Sequence, residues 1–99
     1  MVIYSVYILH CSDDSFYVGM TNDMKRRKQE HDDGINEGSY TASRRPVKLV
    51  WVEETKYVNN AIEREKQIKG WSRAKKIALI EGQKLDLPEL ARKKNFLRK

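Results

Sequence analysis

Two runs rich in β-branched and aromatic residues, residues 2–10 (VIYSVYILH) and 16–20 (FYVGM), stand either side of the short stretch Cys11 to Ser15. Runs of that composition around a turn-forming cluster pair as a β-hairpin. The loop then sets the register. A three-residue loop of Ser12, Asp13 and Asp14, with Asp14 in the left-handed region that aspartate tolerates, pairs Cys11 with Ser15 and so Tyr7 with Gly19. Tyr7 and Tyr17 then share a face, and Gly19 leaves an open space beside Tyr7. A two-residue loop would shift the pairing by one and send the tyrosines to opposite faces.

The rest of the chain alternates helix and strand signals. Thr21-Asn22-Asp23 has the composition of a helix N-cap, and a first helix from Met24 to about Asp33 ends at Gly34. Residues 34–46 form a loop, and Val47 to Thr55 (VKLVWVEET) is a third strand, continuously apolar at its centre. Asn59 or Asn60 caps a second helix stopped by Gly70, and Ser72 caps a third stopped by Gly82. Asp86-Leu87-Pro88-Glu89 could open a further short helix before the basic stretch ARKKNFLRK. The expected fold is α+β, a three-stranded antiparallel sheet flanked by helices in the order ββαβαα. Residues 1–82 form the domain and 83–99 a basic C-terminal tail. Trp51 and Trp71 are assigned to packing.

A chain of 99 residues is one domain with a modest core. Its 20 Lys and Arg exceed its 14 Asp and Glu, for a net charge of +6. That balance suits a phosphate-rich partner, although charge alone does not distinguish nucleic acid from a solvated surface. The single Cys11 excludes an internal disulfide and suits a reducing compartment, and no pattern of Cys and His suggests structural zinc. The apolar N-terminus lacks a basic leader and runs straight into Ser12-Asp13-Asp14, and no apolar run is long enough for a membrane span. A cytoplasmic location and no membrane partner are expected. The sequence leaves monomer or dimer open.

Among polar residues Glu65 stands out. With Ala61 at zero on a helical wheel, Ile68 falls at about 340°, Val58 at about 60°, Ile62 at about 100° and Glu65 at about 40°, inside the apolar arc. A carboxylate there needs a cation, a metal or a proton. A buried salt bridge satisfies that need as well as a metal does. On the first helix Met24, Arg27, His31 and Ile35 form one stripe, expected to face the sheet. Arg27 offers donors suited to phosphate oxygens, but could equally pair with Asp23 or Glu30 on the helix surface. Tyr7 and Tyr17 taken singly are ordinary strand residues.

Taken together, Ser5-Val6-Tyr7, Tyr17-Val18-Gly19, Arg27 eight residues after Gly19, His31 and the Ala61-x-x-x-Glu65 helix resemble the GIY-YIG nuclease domain over roughly residues 3–80. Ser5 stands where that family has glycine, and Val6 where it has isoleucine. The resemblance implies a metal-dependent endonuclease that hydrolyses DNA phosphodiester bonds, in a repair or recombination setting. It implies one Mg²⁺ or Mn²⁺ ion on Glu65 and no small-molecule cofactor. Tyr7 is the implied general base, with Tyr17 as alternate and His31 assisting, and Arg27 the residue that stabilises charge on phosphorus. Gly19, Lys25, Arg26, Lys28, Thr41, Arg44 and Arg45, with Lys48, are candidates for contact with the DNA backbone. The rival readings are a nucleic-acid-binding module that has kept the fold without the chemistry, and an RNA- or ribosome-associated accessory protein.

Overall fold

A computed structural model describes residues 2–35 and 39–83. Its elements run β1 (Tyr4–His10), β2 (Phe16–Thr21), α1 (Met24–Asp33), a short 3-10 helix over Ala42–Arg44, β3 (Lys48–Thr55), α2 (Val58–Lys69) and α3 (Arg73–Gln83). The three strands form one antiparallel sheet in the order β2-β1-β3. The α+β arrangement expected from the sequence is therefore the one observed. The segment 86–89 and most of the basic tail lie outside the described residues.

The hairpin has the expected register. Tyr7 pairs with Gly19 and Leu9 with Tyr17. The Cys11 N–H donates to the Ser15 carbonyl at 2.9 Å, and Asp14 carries φ 71°. Two side-chain bonds brace this turn. Asp13 accepts from the Ser15 N–H at 3.1 Å, and Asp14 lies 2.6 Å from His10 Nε2.

β1 is the central strand, and all its residues from Ser5 to His10 are buried. One face gathers Tyr7, Leu9 and Cys11 with Val47, against which Tyr17, Met24 and Val52 pack. The opposite face carries Ile8, paired with Val18 on β2 and Trp51 on β3. The β1–β3 ladder slips between Ile8 and Leu9: Ile8 pairs with Trp51 and Leu9 with Leu49. This bulge at Val50 explains why the centre of β3 reads as a continuous apolar run rather than an alternation.

α1 starts as its sequence dictates, with Asp23 Oδ1 accepting from the Arg26 N–H at 3.1 Å. It stops at Gly34, in the left-handed conformation at φ 65°. Within α1 the buried residue is His31, while Ile35 lies beyond the helix end and is 61 % exposed. The expected stripe is thus shorter by its last member. α2 begins at Val58, so Asn59 and Asn60 lie within the helix rather than capping it. The helix packs against all three strands, and Arg64 fixes which face it covers. Its Nε lies 3.2 Å from Glu53, and its guanidinium is 5.8 Å from the Trp51 ring centroid, on the Ile8 side of the sheet. The described residues 70–83 belong to a separate unit. Within it Ser72 Oγ accepts from the Lys75 N–H at 3.3 Å, the expected cap, and α3 runs one residue past Gly82.

Candidate active site

β1 and β2 present Tyr7 and Tyr17 from one sheet face, with ring centroids 6.2 Å apart. Gly19 is what lets Tyr7 lie there. A Cβ built on Gly19 would sit 2.5 Å from both Cζ and the hydroxyl of Tyr7, and 2.9 Å from Cε2 of Tyr17. The space expected beside Tyr7 is thus filled by the Tyr7 ring itself, and the backbone at 19 is the floor under its hydroxyl.

α1 brings His31 onto this face. The Tyr7 hydroxyl and His31 Nε2 are 3.0 Å apart, and His31 Nδ1 is 2.7 Å from Thr41 Oγ1. The imidazole packs against both phenols, with centroids 5.9 Å from Tyr7 and 5.2 Å from Tyr17. Tyr7 is fully buried, His31 is 7 % exposed and Thr41 is 1 % exposed. Four polar side chains from two strands, a helix and a loop therefore form one enclosed chain. Tyr17 is half-buried at its mouth, stacked on the exposed ring of Tyr40 at 6.1 Å.

Arg27 acts on the two inner members of this chain. Its charge lowers the pKa of His31 and also that of Tyr7. Its Nε is buried with no hydrogen-bond partner. Glu30 Oε1 lies 3.3 Å from that nitrogen, an ion pair off the N–H direction. Nε is thus enclosed and ion-paired with Glu30, while the Arg27 side chain as a whole keeps 32 % exposure, which leaves guanidinium surface for a phosphate oxygen.

The two titrating groups are pushed in opposite directions. Burial, then the Tyr17 hydroxyl, hold the Tyr7 phenol well above its ordinary range, and the Glu65 charge adds to this. Burial, followed by the Arg27 charge, holds His31 below the ordinary imidazole range. At neutral pH the pair is a neutral phenol beside a neutral imidazole, and both shifts keep the shared proton on the phenol oxygen.

Glu65 reaches Tyr7 through its charge, and its carboxylate lies 3.4 Å from Lys69 one turn along α2. It is not in the middle of a buried stripe. Ala61 and Ile68 are fully buried, but Val58 is 39 % and Ile62 37 % exposed, so Glu65, 23 % exposed, flanks the buried line. Among the described residues no three His, Cys, Asp or Glu side chains gather to hold a metal by themselves. The donor set is one accessible carboxylate, which fits Mg²⁺ or Mn²⁺ arriving with substrate phosphate and its own waters, and does not fit an all-protein metal cage.

The basic candidates divide. Lys25 is exposed, while Arg26 lies 3.7 Å from Glu30 and Lys28 2.7 Å from Asp32. Arg44 holds the 39–45 loop to the hairpin turn. Its Nε donates to Asp13 Oδ2 at 2.9 Å, its NH1 to the Tyr40 carbonyl at 2.8 Å, and its guanidinium lies 3.9 Å over the Tyr40 ring. Arg45 donates to the Ala42 carbonyl at 3.0 Å and to the Asp32 carbonyl at 3.3 Å. Thr41 lies inside, on His31, rather than on the surface. Tyr40 joins the mouth of the site by stacking on Tyr17, and its aromatic character beside Thr41 is the one sign of this in the sequence.

The sequence matches the family model described as the GIY-YIG catalytic domain over residues 3–78. A UPF0213 protein of Syntrophus aciditrophicus is 49 % identical over 75 residues, spanning 76 % of this chain and 86 % of that one. A UPF0213 protein of Natronomonas pharaonis is 46 % identical over 76 residues, spanning 76 % and 87 %. The solution structure of a UPF0213 protein from Bacillus halodurans superposes with TM-score 0.58 at 35 % identity, covering 92 % of this chain and 95 % of that one. Ser5, where the first motif departs from glycine, is 3 % exposed within β1 and paired with Thr21 and Glu54, so the strand accepts it. With the family model matched over residues 3–78, the chain belongs to the GIY-YIG family of nuclease domains.

Proposed function

We propose that this chain is a metal-dependent endonuclease that hydrolyses DNA phosphodiester bonds at the Tyr7–His31–Arg27–Glu65 site. The observation that carries the reading is the partly exposed guanidinium of Arg27 beside an enclosed phenol–imidazole pair. Glu65 would hold one Mg²⁺ or Mn²⁺, which when bound supplies positive charge to the phosphate and its leaving oxygen. Arg27 takes a non-bridging phosphate oxygen on the exposed part of its guanidinium and stabilises the charge that grows there.

Tyr7 is fully enclosed, so the attacking water meets Tyr17 first. The water proton passes to the Tyr17 oxygen, the Tyr17 proton to the Tyr7 oxygen and the Tyr7 proton to His31 Nε2. The resulting imidazolium keeps its Nδ1–H on Thr41 Oγ1. Lys25 and neighbouring basic residues of α1 bind the flanking backbone. The expected setting is DNA repair or recombination, as the family resemblance implies. The free thiol of Cys11 favours a cytoplasmic location. No helix among the described residues is long and apolar enough to cross a membrane.

Incubation with supercoiled plasmid tests this directly. Nicking in Mg²⁺ or Mn²⁺ that stops in EDTA, and that Tyr7→Phe and Tyr17→Phe each suppress, is the expected result. Salt-sensitive binding with no cutting under any divalent ion would refute catalysis and favour the non-catalytic binding module.

A further inference from the structure

Thr41 is anomalous for a loop residue. Tyr40 beside it is 41 % exposed, while Thr41 is 1 % exposed. It also precedes the 3-10 helix Ala42–Arg44 in the N-cap position, yet makes no side-chain capping bond. A threonine at such a place ordinarily spends its hydroxyl on a backbone N–H of the next turn. Here the hydroxyl lies 2.7 Å from His31 Nδ1, ten residues back in the chain.

The surrounding loop is built to deliver it. The Arg44 N–H donates to the Thr41 carbonyl at 3.0 Å, and the Arg44 carbonyl accepts from the Ser12 N–H at 2.9 Å. The Arg44 side chain reaches Asp13 in the same turn. The β1–β2 turn, which sets the register of the tyrosines, thereby also sets the position of Thr41.

A neutral imidazole carries one donor and one acceptor nitrogen, and the partner of one decides what the other can do. With both His31 nitrogens engaged, at 3.0 Å to Tyr7 and 2.7 Å to Thr41, two arrangements exist. Either Nδ1–H donates to Thr41 and Nε2 accepts from Tyr7, or both bonds run the other way. We propose that Thr41 is a positioning residue: its oxygen accepts the Nδ1 proton of His31 and leaves Nε2 as the bare nitrogen that receives the proton of Tyr7. Its catalytic meaning rests on the function proposed above, whereas the tautomer it selects does not.

The test is ¹⁵N NMR of the His31 imidazole in the metal-free wild type, Thr41→Val and Thr41→Ser, with cleavage kinetics on the same samples. The wild type and Thr41→Ser are expected to show the proton on Nδ1. Thr41→Val keeps the shape but offers no acceptor, so the proton should move to Nε2, where Tyr7 can accept it. In cleavage Thr41→Val should lower kcat at least about tenfold with KM little changed, and Thr41→Ser should restore it. An Nε2-protonated imidazole in the wild type overturns the proposal, even if Thr41→Val does not fold. So does a folded Thr41→Val that retains the Nδ1 proton. A wild type with the expected tautomer that cuts no DNA refutes the nuclease reading while supporting the hold of Thr41 on His31.

Discussion

Gly19 shows how little room a single residue has at this site. The Tyr7 ring occupies the volume a side chain at 19 would need, with contacts of 2.5 Å to the hydroxyl and Cζ. Gly19→Ala must therefore displace both tyrosines. Overpacking of this kind costs about 1–3 kcal/mol, and urea unfolding should show such a loss together with a loss of cleavage. His31 makes a second prediction, one of pH. Its pKa is lowered by burial first and by Arg27 second, so the folded chain takes up that proton less readily than the unfolded chain, which titrates at about 6.5. The stability tied to this group is complete above that value and is lost as pH falls from it towards the lower folded value. Urea midpoints should accordingly fall on acidification through this window, and more steeply in the wild type than in His31→Gln. Equal slopes would show that the imidazole is not held neutral.

Elements explain which side-chain environments could be read in advance. The hairpin register and the caps of α1 and α3 follow from local chemistry, namely Asp14 in a left-handed turn, Asp23 and Ser72 on their helix starts, and Gly34 at a helix end. They were legible for that reason. The environment of Glu65 was less so. A helical wheel treats every apolar residue as buried, but α2 turns Val58 and Ile62 towards solvent and leaves Glu65 at the border. Thr41 and Arg44 look like surface contacts in the sequence because their partners, His31 and Asp13, are tertiary neighbours that no local pattern reveals.

Two consequences belong to this scale. Lys69, the ion-pair partner of Glu65, is 54 % exposed, so losing the carboxylate strands no buried charge. Glu65→Gln should change stability by no more than about 0.5 kcal/mol while removing divalent-metal binding, as calorimetry of metal titration would report. A large loss of stability would make Glu65 structural. For the loop, Arg44→Lys keeps the charge and loses the fork that spans Asp13 and the Tyr40 carbonyl. Faster hydrogen exchange at the Ser12 and Arg44 amides is expected, with the salt dependence of DNA binding unchanged. Unchanged exchange at those amides would mean that the guanidinium does not hold the loop to the turn.

At the scale of the whole molecule, a small sheet serves two ends. β1 is buried on both sides, so Tyr7 is fixed from one face while α2 packs on the other. The site is thus pinned by the core rather than hung on a mobile loop, which suits a constellation that must hold its donors in place before substrate arrives. Under the proposed function, the net charge of +6 would supply the sequence-independent part of DNA affinity. Binding and cutting should accordingly separate. The most direct measurement is single-turnover cleavage of plasmid and branched DNA in Mg²⁺ by the wild type and Arg27→Ala, with binding measured in EDTA. Cutting by the wild type, reduced at least about a hundredfold in Arg27→Ala while both proteins bind DNA in EDTA, is the predicted result. A wild type that binds and never cuts, or an Arg27→Ala protein that cuts as fast as the wild type, would contradict the account.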